Sequence, residues 1–225
     1  MKIKKTAAAI KSFGDFHTFI ESFGKRAVVF RGERKESYFL RPKVGRYEDF
    51  TPRDIEKHER TILRLFRERA FPFLTYTPQN DWEWLAVAQH HGLPTRLMDW
   101  THNPLVAAYF AVENKHDGDS VVYAYADNKF INTTRNPSPF VVDHVARFIP
   151  NHITPRITAQ AGLFTVHPNP KTPFESSSLS KVIIKQKFRK DMKYILYKYG
   201  IHRATLFPGL DGLAKHITWR KTDEY

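Results

Sequence analysis

Apolar residues recur at three- and four-residue intervals from Gly14 to Phe23, where Phe16, Phe19, Ile20 and Phe23 share one side. That spacing predicts a short amphipathic helix, closed by Gly24. The run Ala27–Phe30 then reads as a buried strand, with Arg31-Gly32 at its carboxyl end, where open sheets tend to bind ligands. Tyr38–Leu40 fits either a short strand or an extended loop. Thr51-Pro52 opens a longer helix, with Ile55, Ile62, Leu63, Phe66 and Ala70 on its apolar face. Its other side carries Arg53, Arg60, Arg64, Arg67 and Arg69, interleaved with Glu56, Glu59 and Glu68 at ion-pair spacing, as on a solvated helix face.

Asp81–His90 predicts another helix, with Asp81 as its cap, broken by His91-Gly92-Leu93-Pro94. Thr95–Thr101 can run as a strand, and Asn103 and Pro104 then begin a helix whose core, Leu105–Val112, is apolar almost all round and therefore buried. Ser120–Ala126 is a Val- and Tyr-rich strand. Val141–Phe148 is ambiguous, Arg156–Val166 suggests a hairpin or a strand bent at Gly162, and His167–Ser180 reads as a surface loop. Lys181–Lys187 is a strand, Arg189–Tyr199 a helix ended by Gly200, and Gly209–Trp219 a last short helix. Strands and helices alternate irregularly, and neither GxGxxG nor GxxxxGK[ST] occurs. The pattern predicts an α+β fold, a single domain around antiparallel sheet.

Composition narrows the chemistry. The chain has 225 residues and no cysteine, which excludes disulfide scaffolds, cysteine–zinc sites and thiol nucleophiles. Its net charge of +13 favours an anionic partner: nucleic acid, nucleotide or acidic protein. No stretch is apolar for long enough to span a membrane, and the reading is a cytoplasmic protein.

Candidate chemistry gathers in three places: Arg31-Gly32; the group His90, His91, Thr95, Arg96, Asp99, Trp100 and Thr101; and Arg156 with Gln160. Arg96 and Asp99 flank two apolar residues in a strand, so they pair with each other, pair elsewhere, or line a cleft. Adjacent histidines at a helix end point apart and no HExxH occurs, so no metal is expected. Arginine forks beside hydroxyls and an aromatic ring suit a phosphorylated ligand. A metal-independent nuclease using His90 or His91 is a further reading, resting on charge alone.

The residues Phe30-Arg31-Gly32, the stretch Gln89–Thr101 (QHHGLPTRLMDWT) and the helix Asn103–Ala111 (NPLVAAYFA) resemble the FRG domain family, as do RITAQAGLF at 156–164 and LFPGLDGLA at 206–214. The resemblance implies one FRG-like domain over 1–225, with a core of about 27–217 and residues 1–13 as a flexible N-terminal segment. The motif order is also similar to that of ADP-ribosyltransferases, which have an arginine on a first strand, a Ser-Thr-Ser strand before a helix, and a later strand with a glutamate. That similarity implies a split antiparallel sheet with flanking helices and NAD bound between its halves. It gives Arg31, Asp99, Gln160 and His91 as catalytic residues, and Arg31, Gly32, Thr95, Arg96, Trp100 and Thr101 as NAD contacts. It further implies NAD as substrate, transfer of ADP-ribose to a nucleic acid or protein acceptor or else NAD hydrolysis, and the setting of a toxin or phage-defence effector. Gln160 stands where the family has its glutamate, so either Asp99 supplies the carboxylate or the protein binds nucleotide without turnover.

Overall fold

A computed structural model describes residues 9–74, 76–150 and 155–222. Six strands form one antiparallel sheet: β1 (Val29–Glu33), β2 (Leu97–Thr101), β3 (Ser120–Tyr125), β4 (Ala146–Phe148), β5 (Gly162–Val166) and β6 (Leu179–Ile184), in the order β4-β5-β2-β1-β3-β6. Most neighbours pair along their length, from Ser120↔Ile184 to Tyr125↔Leu179 for β3 and β6, and from Leu97↔Val166 to Thr101↔Gly162 for β2 and β5. The central neighbours do not. β1 and β2 share a single registered pair, Phe30↔Thr101, so two well-paired halves meet at one rung and open beyond it.

Two helical layers cover the same face of the sheet and leave a gap over that seam. On the β1-β3-β6 side lie α1 (Phe13–Glu21), α4 (Pro104–Val112) and α6 (Gln186–Lys198), whose apolar residues pack with Phe30, Val122, Ala124 and Val182. On the β2-β5-β4 side lie α2 (Ile55–Ala70) and α3 (Asp81–His90), packed on Leu97, Ala146, Phe164 and Val166. The opposite face, carrying Val29, Met98, Trp100, Tyr123 and Leu163, is closed by loops that bring in Leu40 and Phe174. Two short helices, α5 (Pro155–Ala159) and α7 (Arg203–Leu206), and the C-terminal α8 (Leu210–Thr222) complete the described residues.

Local chemistry accounts for the helix starts. Ser12 and Asp15 form a reciprocal capping box on α1, Asn80 rather than Asp81 caps α3, and the Asn103 side chain accepts from the Leu105 N–H ahead of Pro104 at the start of α4. On α2, Asp54 rather than Thr51 occupies the cap position, and its carboxylate accepts from the Thr51 N–H. Four of the interleaved charges on α2 do form surface pairs, Arg60–Glu56 and Arg64–Glu68. Glu59 departs from the pattern and points into the protein.

Several expectations need correction. Arg31 lies inside β1 rather than after it, because the strand continues to Glu33 in register with Val121. Arg156–Val166 is no hairpin: residues from Pro155 wind into α5, Ala161 takes a left-handed φ of 46°, and β5 begins at Gly162. Residues 9–13 are not a flexible lead, since Ile10 is 1% exposed, its N–H donates to the Ile183 carbonyl, and Phe13 starts α1. The rest of that segment lies outside the described residues.

Candidate functional site

The space between the two helical layers is a cleft of about 580 Å³, in the range of small-ligand pockets. Residues of β1 and of β2 form its floor, α4 and the turn after α3 form two walls, and Arg156 and Gln160 close a third. A smaller cavity of about 300 Å³ adjoins it, sharing Arg31, Lys43, Gln89 and Asp99.

Gly32 explains how β1 and α4 come so close. A Cβ there would lie 1.8 Å from the Ala107 carbonyl oxygen, so only glycine lets the helix rest on the strand. Gly32 is thus a packing requirement at the cleft floor. Arg31 spans the opened seam. Its Nη1 donates to the Asp99 carbonyl at 2.7 Å, where the strands themselves have ceased to pair, and its Nε donates to Glu33 at 2.9 Å. Burial opposes the charge on Arg31, but Glu33 and Asp99 outweigh it and hold the guanidinium pKa above its usual value.

Asp99 is the accessible carboxylate. Its side chain is 56% exposed, with Oδ2 3.7 Å from Arg31 Nη1 and accepting from Gln89 Nε2 at 2.8 Å. Thr95 fixes that arrangement: its hydroxyl donates to Gln89 Oε1 at 2.7 Å, which turns the Gln89 amide group toward Asp99. Thr95 itself is 2% exposed, so it positions Asp99 through Gln89 and does not face the cleft. Gln89 was not singled out by the sequence, although it opens the QHHGLPTR stretch.

Thr101 locks the far end of β2. Its hydroxyl donates to the Gln160 carbonyl at 2.6 Å and accepts from the Asn103 N–H at 2.9 Å. Gln160 lines the cleft just before β5, with its amide donating to the Leu206 carbonyl at 3.0 Å. Arg156 donates to the His90 carbonyl at 3.2 Å and stacks over Phe207 at 4.4 Å. Burial, with a contribution from Arg156, lowers the His90 pKa to about 4, so that imidazole is neutral at pH 7. His91 is exposed at the cleft wall.

Besides Thr95, two more expected NAD contacts, Arg96 and Trp100, turn their side chains away from the cleft. Arg96 is 2% exposed and paired with Glu59, itself 1% exposed; Nε donates to Oε2 at 2.9 Å and the Arg96 N–H to Oε1 at 2.6 Å. The partner of Arg96 is therefore on α2, not Asp99, and its guanidinium does not line the cleft. A buried arginine needs a carboxylate and further acceptors, and Glu59 with the Phe140 carbonyl supplies them. Trp100 is 3% exposed, its indole N–H donates to Thr165 Oγ1 at 2.9 Å, and its ring sits in the core on the opposite face of the sheet. That ring has no free face for stacking on a ligand. Among the described residues no three His, Asp or Glu side chains converge as metal ligands.

A family model for the FRG domain matches residues 26–120. Over those residues, fewer than half of the chain, it is similar to an FRG domain. No curated protein and no solved structure matches the chain. The FRG match spans β1, α2, α3, β2 and α4, and so contains Arg31, Gln89, His91 and Asp99. Arg156, Gln160 and the β5 wall lie beyond it, so the cleft is built from the FRG segment and the chain that follows it. No helix among the described residues is long and apolar enough to cross a membrane.

Proposed function

We propose that the cleft binds NAD and transfers its ADP-ribose to a macromolecular acceptor. The observation that carries this reading is the sheet opening at one rung, with Arg31 and the accessible carboxylate of Asp99 on facing lips. A dinucleotide laid along the seam puts its diphosphate beside the cationic side chains of Arg34 and Lys43 and its nicotinamide ribose beside Asp99. As the C1′–nitrogen bond breaks, nicotinamide leaves with the bonding pair. The positive charge developing on the ribose faces Asp99, which a neutral Gln160 cannot replace. Gln160, whose side-chain amide N–H donates to the Leu206 carbonyl, keeps its side-chain Oε1 to accept from a ribose hydroxyl. The acceptor nucleophile closes on C1′ and its proton passes to His91.

One observation favours a second reading, a nucleotide-binding module without turnover: the amide of Gln160 where the related transferases carry a carboxylate. Calorimetry with NAD, together with an assay for released nicotinamide in the presence of cell lysate, separates the two. Asp99→Asn is expected to lower turnover by roughly 10²–10³-fold while NAD affinity changes far less. Binding without nicotinamide release in any mixture supports the second reading. No NAD binding, in wild type or with Arg31→Ala as its control, overturns both.

A further inference from the structure

The smaller cavity carries more charge than a nucleotide cleft requires. Arg31, Arg41, Lys43 and Arg46 line it against a single carboxylate, Asp99. Glu33 is buried and bonded to Arg31 and Arg46, so it offsets one of these charges; four cations against two carboxylates still leave a surplus of about two positive charges. Arg41 is poorly satisfied: its Nε is buried without a partner, and its guanidinium otherwise makes one 3.5 Å contact to the Gly45 carbonyl.

Aromatic rings stand among these cations. Phe39 is 69% exposed, Tyr47 43% and Tyr38 36%, and the Arg41 guanidinium lies 5.8 Å from the Phe39 ring. Large exposed rings are costly in water unless something covers them, and rings alternating with cations match the faces and phosphates of an unpaired strand. Duplex would present its phosphates but hide its bases. An acidic protein segment would meet the cations and leave the rings without a flat partner.

We propose that the shelf from 34 to 47 docks single-stranded nucleic acid and leads it into the cleft. The two cavities share Arg31, Lys43 and Asp99, so a strand held in the smaller one borders the cleft. Its role as acceptor rests on the NAD reading above: a base nitrogen or a sugar or phosphate oxygen replaces nicotinamide at C1′, and nicotinamide leaves with the electron pair.

The test is fluorescence anisotropy on the full chain with labelled 12-nucleotide RNA and DNA strands, their duplexes, and polyglutamate as competitor. Either strand is expected to bind more tightly than its duplex, and whichever strand binds better identifies the partner. The log–log salt slope should be about −2 to −3, for three or four neutralised phosphates. Phe39→Ala and Arg41→Gln should each weaken binding roughly tenfold. The exposure of Phe39 keeps its variant folded, and its NAD binding should match wild type. Equal affinity for duplex with no effect of Phe39→Ala, or displacement of the strand by polyglutamate, overturns the proposal. Strand binding that persists where NAD binding is absent sinks only the nucleotide reading.

Discussion

His167 shows how one buried side chain couples this protein to pH. It is 2% exposed, and its Nε2 lies 2.8 Å from Thr165 Oγ1, which also accepts from the Trp100 indole. Because the indole only donates, the Thr165 hydroxyl keeps its own proton to offer to a neutral His167. Burial, then the nearby Arg31 charge, lowers the His167 pKa to about 3. An unfolded histidine protonates near 6.5, so between pH 6.5 and 3 the unfolded chain holds a proton that the folded chain refuses. Stability therefore falls as pH falls through that window, by about 2 kcal/mol at pH 5. Melting temperatures from pH 7.5 to 4.5 should show that slope in wild type, and His167→Gln should flatten it. Parallel slopes in the two proteins would show that His167 does not titrate this way. Arg96 and Glu59 belong to the same residue scale. Their pairing was hidden because Glu59 sits among arginines at ion-pair spacing, and its partner lies 37 residues onward.

The contact between β1 and α4 makes the sharpest demand at the scale of elements. A methyl group at Gly32 meets the Ala107 carbonyl at 1.8 Å and the Ala111 nitrogen at 2.7 Å, both backbone atoms that cannot swing aside. Gly32→Ala should cost about 3 kcal/mol or more, read by denaturant titration. A wild-type midpoint in that variant would mean that α4 shifts along the sheet without penalty. Elements with strong local signals were legible from the sequence: Asn103-Pro104 before an all-round apolar run marks α4, and Gly200, at φ 76°, ends α6. α5 was not legible. Its five residues begin at Pro155, and the left-handed Ala161 two residues past its end is held by the Thr101–Gln160 and His102–Ala161 hydrogen bonds rather than by its own sequence. The extent of β1 was misread for a similar reason, because pairing with β3 carries it through Arg31 and Glu33.

For the whole molecule, the seam decides what a ligand can do. Two halves joined at Phe30↔Thr101 and bridged by the Arg31 side chain share a core on the opposite face, where Val29 and Tyr123 meet Met98, Trp100 and Leu163, and part only on the cleft side. A dinucleotide seated between them adds contacts on both lips. At a hundredfold excess over its Kd it should stabilise the fold by about 2.7 kcal/mol, a rise in Tm of roughly 5–10 °C for a chain of this size. Scanning fluorimetry with NAD checks this, and an unchanged Tm across millimolar NAD would count against occupancy of the seam. The sequence identified Arg31, Asp99 and Gln160 as a group, and the fold places all three on the cleft. The similarity in motif order implied a split sheet, but not that β1 and β2 would still pair at one rung within a single six-stranded sheet.

The strand order has a consequence for how the protein is made. Strands β1, β3 and β6 form one half of the sheet and β2, β4 and β5 the other, so the chain passes between the halves four times. Neither half is a contiguous stretch that translation could finish first. On the ribosome, Arg31 and Asp99 emerge long before β5 can pair with β2, and the last edge of the other half is completed only by Leu179–Ile184. A nascent or truncated chain ending at the FRG segment would display the cationic lip without its opposing wall. Synthesis of the full chain thus sets the moment at which the cleft first closes around anything.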